Sequence, residues 1–286
     1  MKQTISFEFF PPKTQKGADN LIARVKNDFM PLNPAYVSIT YGAGGTTQEL
    51  TKNTILRLKK ETPLKIVSHL TCVGMNKTEL KALLDEYNEL GILDILALRG
   101  DPPNGGIDFT PAKDGFTYAA ELVEFIKKNY PHMNVGVAGF PEGHPATPNR
   151  LVELDNLKKK VDVGADYICT QLFFDNRDFY DFRERCELIG INVPIKAGIM
   201  PVVSKSNMER IAELSLGARV PAGLLKAMSR TATDEAAERV GIHWATHQSL
   251  DLLENGVDGI HFYTLNKSRA TLEIFRFLGI DEAGEL

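Results

Sequence analysis

Eight short apolar runs recur along this chain, and the stretches between them carry apolar residues at helical spacing. The runs are Thr4–Phe7, Ala35–Ile39, Lys65–Leu70, Asp94–Leu98, Asn134–Ala138, Tyr167–Thr170, Ile195–Ile199 and Gly259–Phe262. Runs this short read as strands buried on both faces, and their alternation with helices calls for a parallel sheet. The chain's 286 residues lie close to the typical size of a single barrel, about 250 residues. We therefore expect an α/β fold, one (β/α)₈ TIM barrel, with residues 1–286 forming a single catalytic domain. Polar or aromatic residues stand at or just past the run ends: Glu8, Thr40, Tyr41, His69, Arg99, Asp101, His144, Gln171 and Tyr263. In a barrel these ends share one mouth, where such groups read as an active site.

The periodicity predicts helices over Asp19–Phe29, Thr47–Lys60, Lys77–Leu90, Thr117–Lys128, Asn149–Val163, Arg177–Leu188, Ser204–Leu214 and Lys267–Leu278. Thr47, Thr78 and Ser204 are the expected caps, and Gly91, Gly164 and Gly190 the expected stops. Extra helices are expected between helix seven and strand eight, at Ala222–Ser229 and Thr233–Asn255. The second has Ala237, Val240, Ile242, Ala245, Leu250 and Leu253 available for burial. The longest irregular segment, Gly100–Gly115, falls on the catalytic face, where long loops tend to be functional.

A formal net charge of -4 gives no nucleic-acid footprint. No stretch approaches the roughly 20 apolar residues of a membrane span. Glu8 breaks the first apolar run, so no signal peptide is read. Cys72, Cys169 and Cys186 lack Cys-x-x-Cys spacing and fit a reducing cytoplasm. We read Cys72 and Cys169 as small core residues.

Glu8 lies among aromatic residues in Phe7-Glu8-Phe9-Phe10-Pro11-Pro12. Apolar surroundings disfavour a charged carboxylate, which suits a general acid near neutral pH. The alternative is a partner for a buried Arg or Lys. In Arg99-Gly100-Asp101, Gly100 permits close backbone approach to a ligand while Asp101 offers a carboxylate, or caps a turn with Arg99. His144 is fixed between prolines at 141 and 145. Asn156-Leu157-Lys158-Lys159-Lys160 is either a solvated face or a reach toward phosphate. Gln171 can donate and accept at the edge of a heteroaromatic ring, while Phe173 and Phe174 stack on a ligand or fill the core. Tyr41-Gly42-Ala43-Gly44-Gly45 carries neither a Rossmann nor a Walker pattern. His243 and His247 stand four apart, but lack the Glu and third ligand of a metal site.

These segments together resemble the methylenetetrahydrofolate reductase family, in its short bacterial form without a regulatory domain. The resemblance runs through Phe7-Glu8-Phe9-Phe10-Pro11-Pro12-Lys13, Val37–Gly45, His69-Leu70-Thr71-Cys72, Leu98–Pro103, Thr170–Asp175 and His261–Asn266. It implies an FAD-containing barrel that takes hydride from NADH or NADPH and reduces 5,10-methylenetetrahydrofolate to 5-methyltetrahydrofolate for methionine synthesis. It assigns Glu8 as the acid, Asp101 as the carboxylate beside the flavin, and Gln171 to both nicotinamide and folate, which take turns on one flavin face. It places Thr40, Tyr41, Ala43, His69, Arg99, Gly100, Asp101, Tyr118, Ala119, Phe140, His144, Asn156, Lys159 and Lys160 around FAD. Tyr263 and Lys267 fall near the folate. The family also suggests a homo-oligomer.

The chain departs from the family pattern in places. Phe140 stands where Tyr is common, Glu153 where Asp is expected, and Thr147 where Ala is usual. Lys159 and Lys267 replace expected arginines, keeping the charge but losing the planar fork. The implied chemistry agrees with the residues: ring opening of the methylene donor needs a proton on its leaving nitrogen, a task for Glu8. Asp101 would disfavour an anionic reduced flavin and steady a cationic iminium. The residues alone leave open another FAD-dependent barrel such as a proline dehydrogenase, a phosphate-binding aldolase, or a non-catalytic binding module. A Schiff-base aldolase needs an inner lysine, and Lys65 and Lys196 sit at strand starts, on the wrong face for such chemistry.

Overall fold

A computed structural model describes residues 2–41, 48–100, 111–215, 218–281 and 283. The strands are β1 (Thr4–Phe9), β2 (Tyr36–Ile39), β3 (Ile66–Thr71), β4 (Asp94–Leu98), β5 (Asn134–Gly139), β6 (Tyr167–Thr170), β7 (Ile195–Ile199) and β8 (Gly259–Tyr263). They close in chain order, with β8 pairing in parallel onto β1. The helices are α1 (Gln15–Arg24), α2 (Gln48–Glu61), α3 (Lys77–Glu89), α4 (Ala119–Asn129), α5 (Arg150–Asp162), α6 (Asn176–Leu188), α7 (Lys205–Leu214), α8 (Ala222–Ser229), α9 (Asp234–Glu254) and α10 (Arg269–Leu278). The expected barrel and both extra helices are present. No helix of the described residues is long and apolar enough to cross a membrane.

Alternation along the strands separates two environments. Phe7 and Phe9 point outward, where Phe7 meets Phe29, Phe262 and Phe275 at centroid distances of 4.8, 6.1 and 6.1 Å. Ser6 and Glu8, one residue out of phase, point into the barrel. Tyr36, Val67, Leu96, Tyr167 and Cys169 pack together in a separate small cluster. Cys72, Cys169 and Cys186 are all buried and free.

Several boundaries differ from the expectation, each for a local reason. Helix α1 starts four residues early because the Thr14 hydroxyl accepts from the Gly17 N–H at 3.1 Å. It gives way at Val25–Phe29 to a wider π-type turn in which Val25 and Phe29 are both fully buried. Asn76, not Thr78, caps α3: its carboxamide accepts from the Thr78 and Glu79 N–H groups, and Glu79 returns the bond. Ser204 does cap α7, and Gly91, Gly164 and Gly190 take the left-handed conformation after their helices. Thr47 lies outside the described residues. Helix α4 starts at Ala119, since the Glu121 carboxylate accepts from the Thr117 and Tyr118 N–H groups ahead of it. Helix α10 starts at Arg269 rather than Lys267, after Leu265 and Asn266 adopt positive φ.

Helix α9 is fastened to the barrel rather than appended to it. Trp244 Nε1 donates to the Phe174 carbonyl at 2.9 Å and Gln248 Nε2 to the Phe173 carbonyl at 3.2 Å. A Cβ on Gly241 would fall 1.8 Å from the Val202 carbonyl oxygen, so the helix packs against bare backbone. Ala237, Ile242 and Ala245 are buried as expected, and Leu253 is partly buried. Leu250 is 42% exposed, because the inner face runs through Gln248, Ser249 and Leu252.

Candidate active site at the barrel mouth

Glu8 is buried near the C-terminal end of β1. Its surroundings are not the apolar ones expected from its neighbours in sequence, since Phe7 and Phe9 face the other way. Nor is its partner an Arg or Lys. Glu8 Oε2 lies 3.5 Å from His261 Nε2 on β8 and 3.3 Å from His69 Nε2 on β3. The His261 contact is a hydrogen bond at its outer limit. The His69 contact lacks hydrogen-bond geometry, leaving His69 Nε2 without a partner among the described residues. Burial pushes the His69 imidazole below its ordinary value, against the opposing pull of Glu8, so it is neutral at neutral pH.

His261 is held from several sides. Ser6 Oγ lies 2.7 Å from its Nδ1 and Ser38 Oγ 3.5 Å from its Nε2. Tyr36 stacks on the ring at 5.8 Å and Tyr263 meets it edge-on at 5.3 Å. Sequence reading missed Ser6, Ser38 and His261 as site residues. The available signal was period two: Ser6 precedes Glu8, and His261 precedes Tyr263, by two positions on the same strand face.

Tyr263 crosses the barrel. Its hydroxyl donates to the Thr170 carbonyl on β6 at 2.7 Å, passing over Gly198 on β7. Gln171 follows Thr170, and its Oε1 accepts from the Leu172 N–H at 2.9 Å, while no described residue takes up its amide nitrogen. Phe173 and Phe174 are core residues, 1% and 2% exposed, and not stacking platforms. Lys267 is exposed at the β8–α10 connection, beside a cavity of about 250 Å³ that Tyr263, Arg24 and Glu238 also line. The connection is held in its strained form by Asn266, which bonds the Phe10 N–H and carbonyl at 2.8 and 2.9 Å.

The sector from β2 to β5 holds the other expected residues. Thr40 and Tyr41 follow β2, His69 and Thr71 lie in the last three residues of β3, and Arg99 and Gly100 follow β4. Gly100 has φ +84°, and a Cβ there would meet Val73 Cγ2 at 2.8 Å and Thr71 Cβ at 2.9 Å. Its glycine is thus required by packing on β3. Thr71 Oγ1 is buried and unpartnered among the described residues, a second orphan near His69 Nε2. Tyr118 is 64% exposed at the start of α4, next to Ala119. Phe140 and His144 meet edge to face at 4.8 Å, and His144 Nδ1 accepts from the Ala146 N–H. Ala43 and Asp101 lie outside the described residues.

The three lysines of α5 divide by helix phase. Lys158 pairs with Asp162, and Lys159, which is exposed, pairs with Asp155 at 2.6 Å. Asn156 is also exposed. Only Lys160 turns inward, its Nζ 2.7 Å from the Ala138 carbonyl; burial lowers its pKa to about 8, opposed by Glu153. Two departures from the family pattern meet here. The Thr147 hydroxyl donates to buried Glu153 Oε2 at 2.7 Å, so the longer acid and the added hydroxyl serve each other. Thr147→Ala strands that carboxylate oxygen and should cost about 1–3 kcal/mol, read as a lower urea midpoint at unchanged slope. A midpoint within error of the parent would show that the pair contributes nothing.

Lys65 pairs with Asp94 at 2.8 Å. Lys196, by contrast, enters the barrel: its Nζ lies 4.3 and 4.8 Å from the Tyr36 and Tyr167 ring centroids. It does so from the second residue of β7, at the end of the strand away from the mouth. His243 and His247 are exposed on α9 with centroids 4.4 Å apart, and no group of three or more metal-ligating side chains occurs among the described residues.

The family model described as "Methylenetetrahydrofolate reductase" matches residues 1–279. The 5,10-methylenetetrahydrofolate reductase of Escherichia coli K12 is 35% identical over 96% of this chain and 90% of its own. Methylenetetrahydrofolate reductase (NADH) 1 of Arabidopsis thaliana is 40% identical over 97% of this chain and 49% of its own. The chain thus spans about half the length of the plant relative and most of the bacterial one. Among solved structures, a Clostridium thermocellum protein described as binding two copies of 5-methyl-5,6,7,8-tetrahydrofolic acid shares the fold. Its TM-score is 0.64 at 15% identity, over 96% of this chain and 93% of its own.

Proposed function

The chain belongs to the methylenetetrahydrofolate reductase family, and from that premise we propose that it reduces 5,10-methylenetetrahydrofolate to 5-methyltetrahydrofolate with NADH or NADPH, in alternating half-reactions through FAD. The observation that carries this reading is the buried Glu8, set between two imidazoles at a barrel mouth that also holds Tyr263 and Gln171. Glu8 is the acid that protonates the leaving nitrogen as the folate ring opens. Gln171 offers its amide to whichever substrate is present, and Tyr263 and Lys267 line the folate side. We read the product as a methyl donor for methionine synthesis, and the chain as one cytoplasmic catalytic barrel that assembles as a homo-oligomer.

The residues fit FAD. His69 Nε2 and Thr71 Oγ1 are buried and unpartnered beside the β2–β5 sector, as polar groups awaiting a heteroaromatic edge would be. Thr40, Tyr41, Arg99, Gly100, Tyr118, Ala119, Phe140 and His144 would hold the cofactor along that sector, with Ala43 and Asp101 as family positions. Lys160 would face its phosphates, with Asn156 and Lys159 nearby. When bound, FAD would supply the hydride relay between the two substrates. The test is direct: the purified protein should carry a flavin spectrum that bleaches with NADH or NADPH and returns with methylenetetrahydrofolate. A preparation that binds no flavin would overturn the reading.

Lys160 adds a quantitative expectation. With its pKa near 8, about half of Lys160 is neutral at pH 8. A bound phosphate favours the charged form and raises the pKa again. FAD binding at pH 8 should therefore take up a fraction of a proton, seen by calorimetry in buffers of different ionisation enthalpy. Uptake should vanish at pH 6, where Lys160 is already charged. Equal uptake at both pH values would remove Lys160 from the phosphate site.

A further inference from the structure

We propose that His261 is a positioning residue for the acid, and that Ser6 sets its tautomer so that the acidic proton stands on Glu8 Oε1. The proposal rests on the reading of Glu8 given above and goes beyond it. Three distances carry it: Ser6 Oγ to His261 Nδ1 at 2.7 Å, His261 Nε2 to Glu8 Oε2 at 3.5 Å, and His69 Nε2 to the same Oε2 at 3.3 Å.

A neutral imidazole has one donor nitrogen and one acceptor. The Ser6 hydroxyl has two acceptors in reach, the Ile260 carbonyl at 3.5 Å and His261 Nδ1 at 2.7 Å; when it donates to the nearer, Nδ1, the ring proton is on Nε2 and points at Glu8 Oε2. That oxygen is then an acceptor, and a proton on the carboxyl must sit on Oε1. No described residue hydrogen-bonds Oε1, so it is the oxygen left for a substrate nitrogen. In the other tautomer Nε2 accepts, and the carboxyl proton is drawn to Oε2 and held inside the barrel. The same carboxyl would then be a poor acid, although nothing in its burial had changed.

Two aromatic neighbours orient the ring. Tyr36 stacks on it and Tyr263 abuts its edge. Lys196 lies 4.3 Å from the Tyr36 ring centroid. The titratable groups facing the Glu8–His261 pair are Tyr36 from β2, His69 from β3, Cys169 from β6 and Tyr263 from β8. Burial holds His69 neutral and raises both tyrosines well above their ordinary values, so they stay uncharged where the enzyme would work.

The experiment uses the FAD-loaded protein and three variants: Ser6→Ala, His261→Gln and His261→Leu. Stopped-flow absorbance separates reduction by NADH from reoxidation by methylenetetrahydrofolate, each followed across pH. Ser6→Ala and His261→Leu should slow only reoxidation, by about 10–100-fold, the size of effect seen when a metal-ligating histidine loses its outer hydrogen-bond partner. Their pH profiles should shift relative to the parent. His261→Gln, which keeps an N–H within reach of Oε2, should restore most of the rate.

A readout independent of turnover is ¹⁵N NMR of the imidazoles. The parent should show His261 protonated on Nε2, and Ser6→Ala a mixture of tautomers. If Ser6→Ala leaves the tautomer and the reoxidation profile unchanged, the proposal is overturned. It also fails if the variants slow both half-reactions alike, because the role is then only structural. Glu8→Gln serves as the reference. If that variant reoxidises normally, the assignment of Glu8 itself is wrong. If it reoxidises slowly and adding His261→Leu slows it further by the full single-variant factor, only the coupling proposed here fails.

Discussion

Glu8→Gln is expected to leave the reduction of bound FAD by NADH nearly unchanged and to slow reoxidation by methylenetetrahydrofolate about 10²–10⁴-fold, the range typical of lost general acid catalysis. The asymmetry follows from where protons are needed. Hydride transfer from the nicotinamide asks nothing of Glu8, whereas ring opening of the folate requires a proton on the leaving nitrogen. Glutamine retains the size of the side chain and an amide that still meets His261, so the barrel interior should hold its shape. The two rates are read separately from the flavin band by stopped flow. Equal slowing of both would mean that Glu8 supports the barrel and does not serve as the acid.

The barrel was legible because its signal repeats: eight apolar runs of strand length, each followed by helical spacing. The mouth was partly legible for the same reason. Glu8, Gln171 and Tyr263 interrupt or end apolar runs and so announce themselves. His261 did not, because it lies within Gly259–Phe262 and reads as strand interior, although it shares an inner face with Tyr263. Ser6 was hidden likewise behind Ile5 and Phe7. The orphaned atoms His69 Nε2 and Thr71 Oγ1 cannot be read from sequence at all, since they depend on which angles the fold allows.

Consecutive residues of one type were the hardest to sort. Lys158, Lys159 and Lys160 look alike in sequence, but Lys160 is three residues past buried Leu157 and seven past buried Glu153, which turns it inward. The same argument in α9, run one position out of phase, is what exposed Leu250. The start of α1 was misplaced because Thr14, a polar residue upstream, took the cap; α3 starts where expected, with Asn76 in place of Thr78 as its cap. Such a shift moves a boundary by a few residues and leaves the strand ends, and hence the mouth, in place.

Gly198→Ala should be among the most damaging small substitutions in the molecule, although it adds one methyl group. The new Cβ would stand 2.3 Å from the Thr170 carbonyl oxygen and 2.7 Å from Tyr263 Cε2. Neither neighbour can yield cheaply. Thr170 is β6 backbone, and its side-chain oxygen already accepts the Gly198 N–H at 2.9 Å. Tyr263 can move only by giving up its 2.7 Å bond to that same carbonyl. Overpacking alone typically costs about 1–3 kcal/mol, and a lost buried hydrogen bond adds about 1–3 kcal/mol, so we expect a loss of roughly 2–6 kcal/mol. Gly223→Ala in α8 is the control, because its Cβ would meet only the Trp244 ring edge at 3.5 Å, an ordinary contact. There the better helix propensity of alanine should raise stability by about 0.5–1 kcal/mol. The two variants should thus move the urea midpoint in opposite directions, and Gly198→Ala should also weaken the apparent affinity for folate as Tyr263 leaves its place. A Gly198→Ala midpoint equal to the parent's would mean that Tyr263 does not cross β7 to reach β6 in solution.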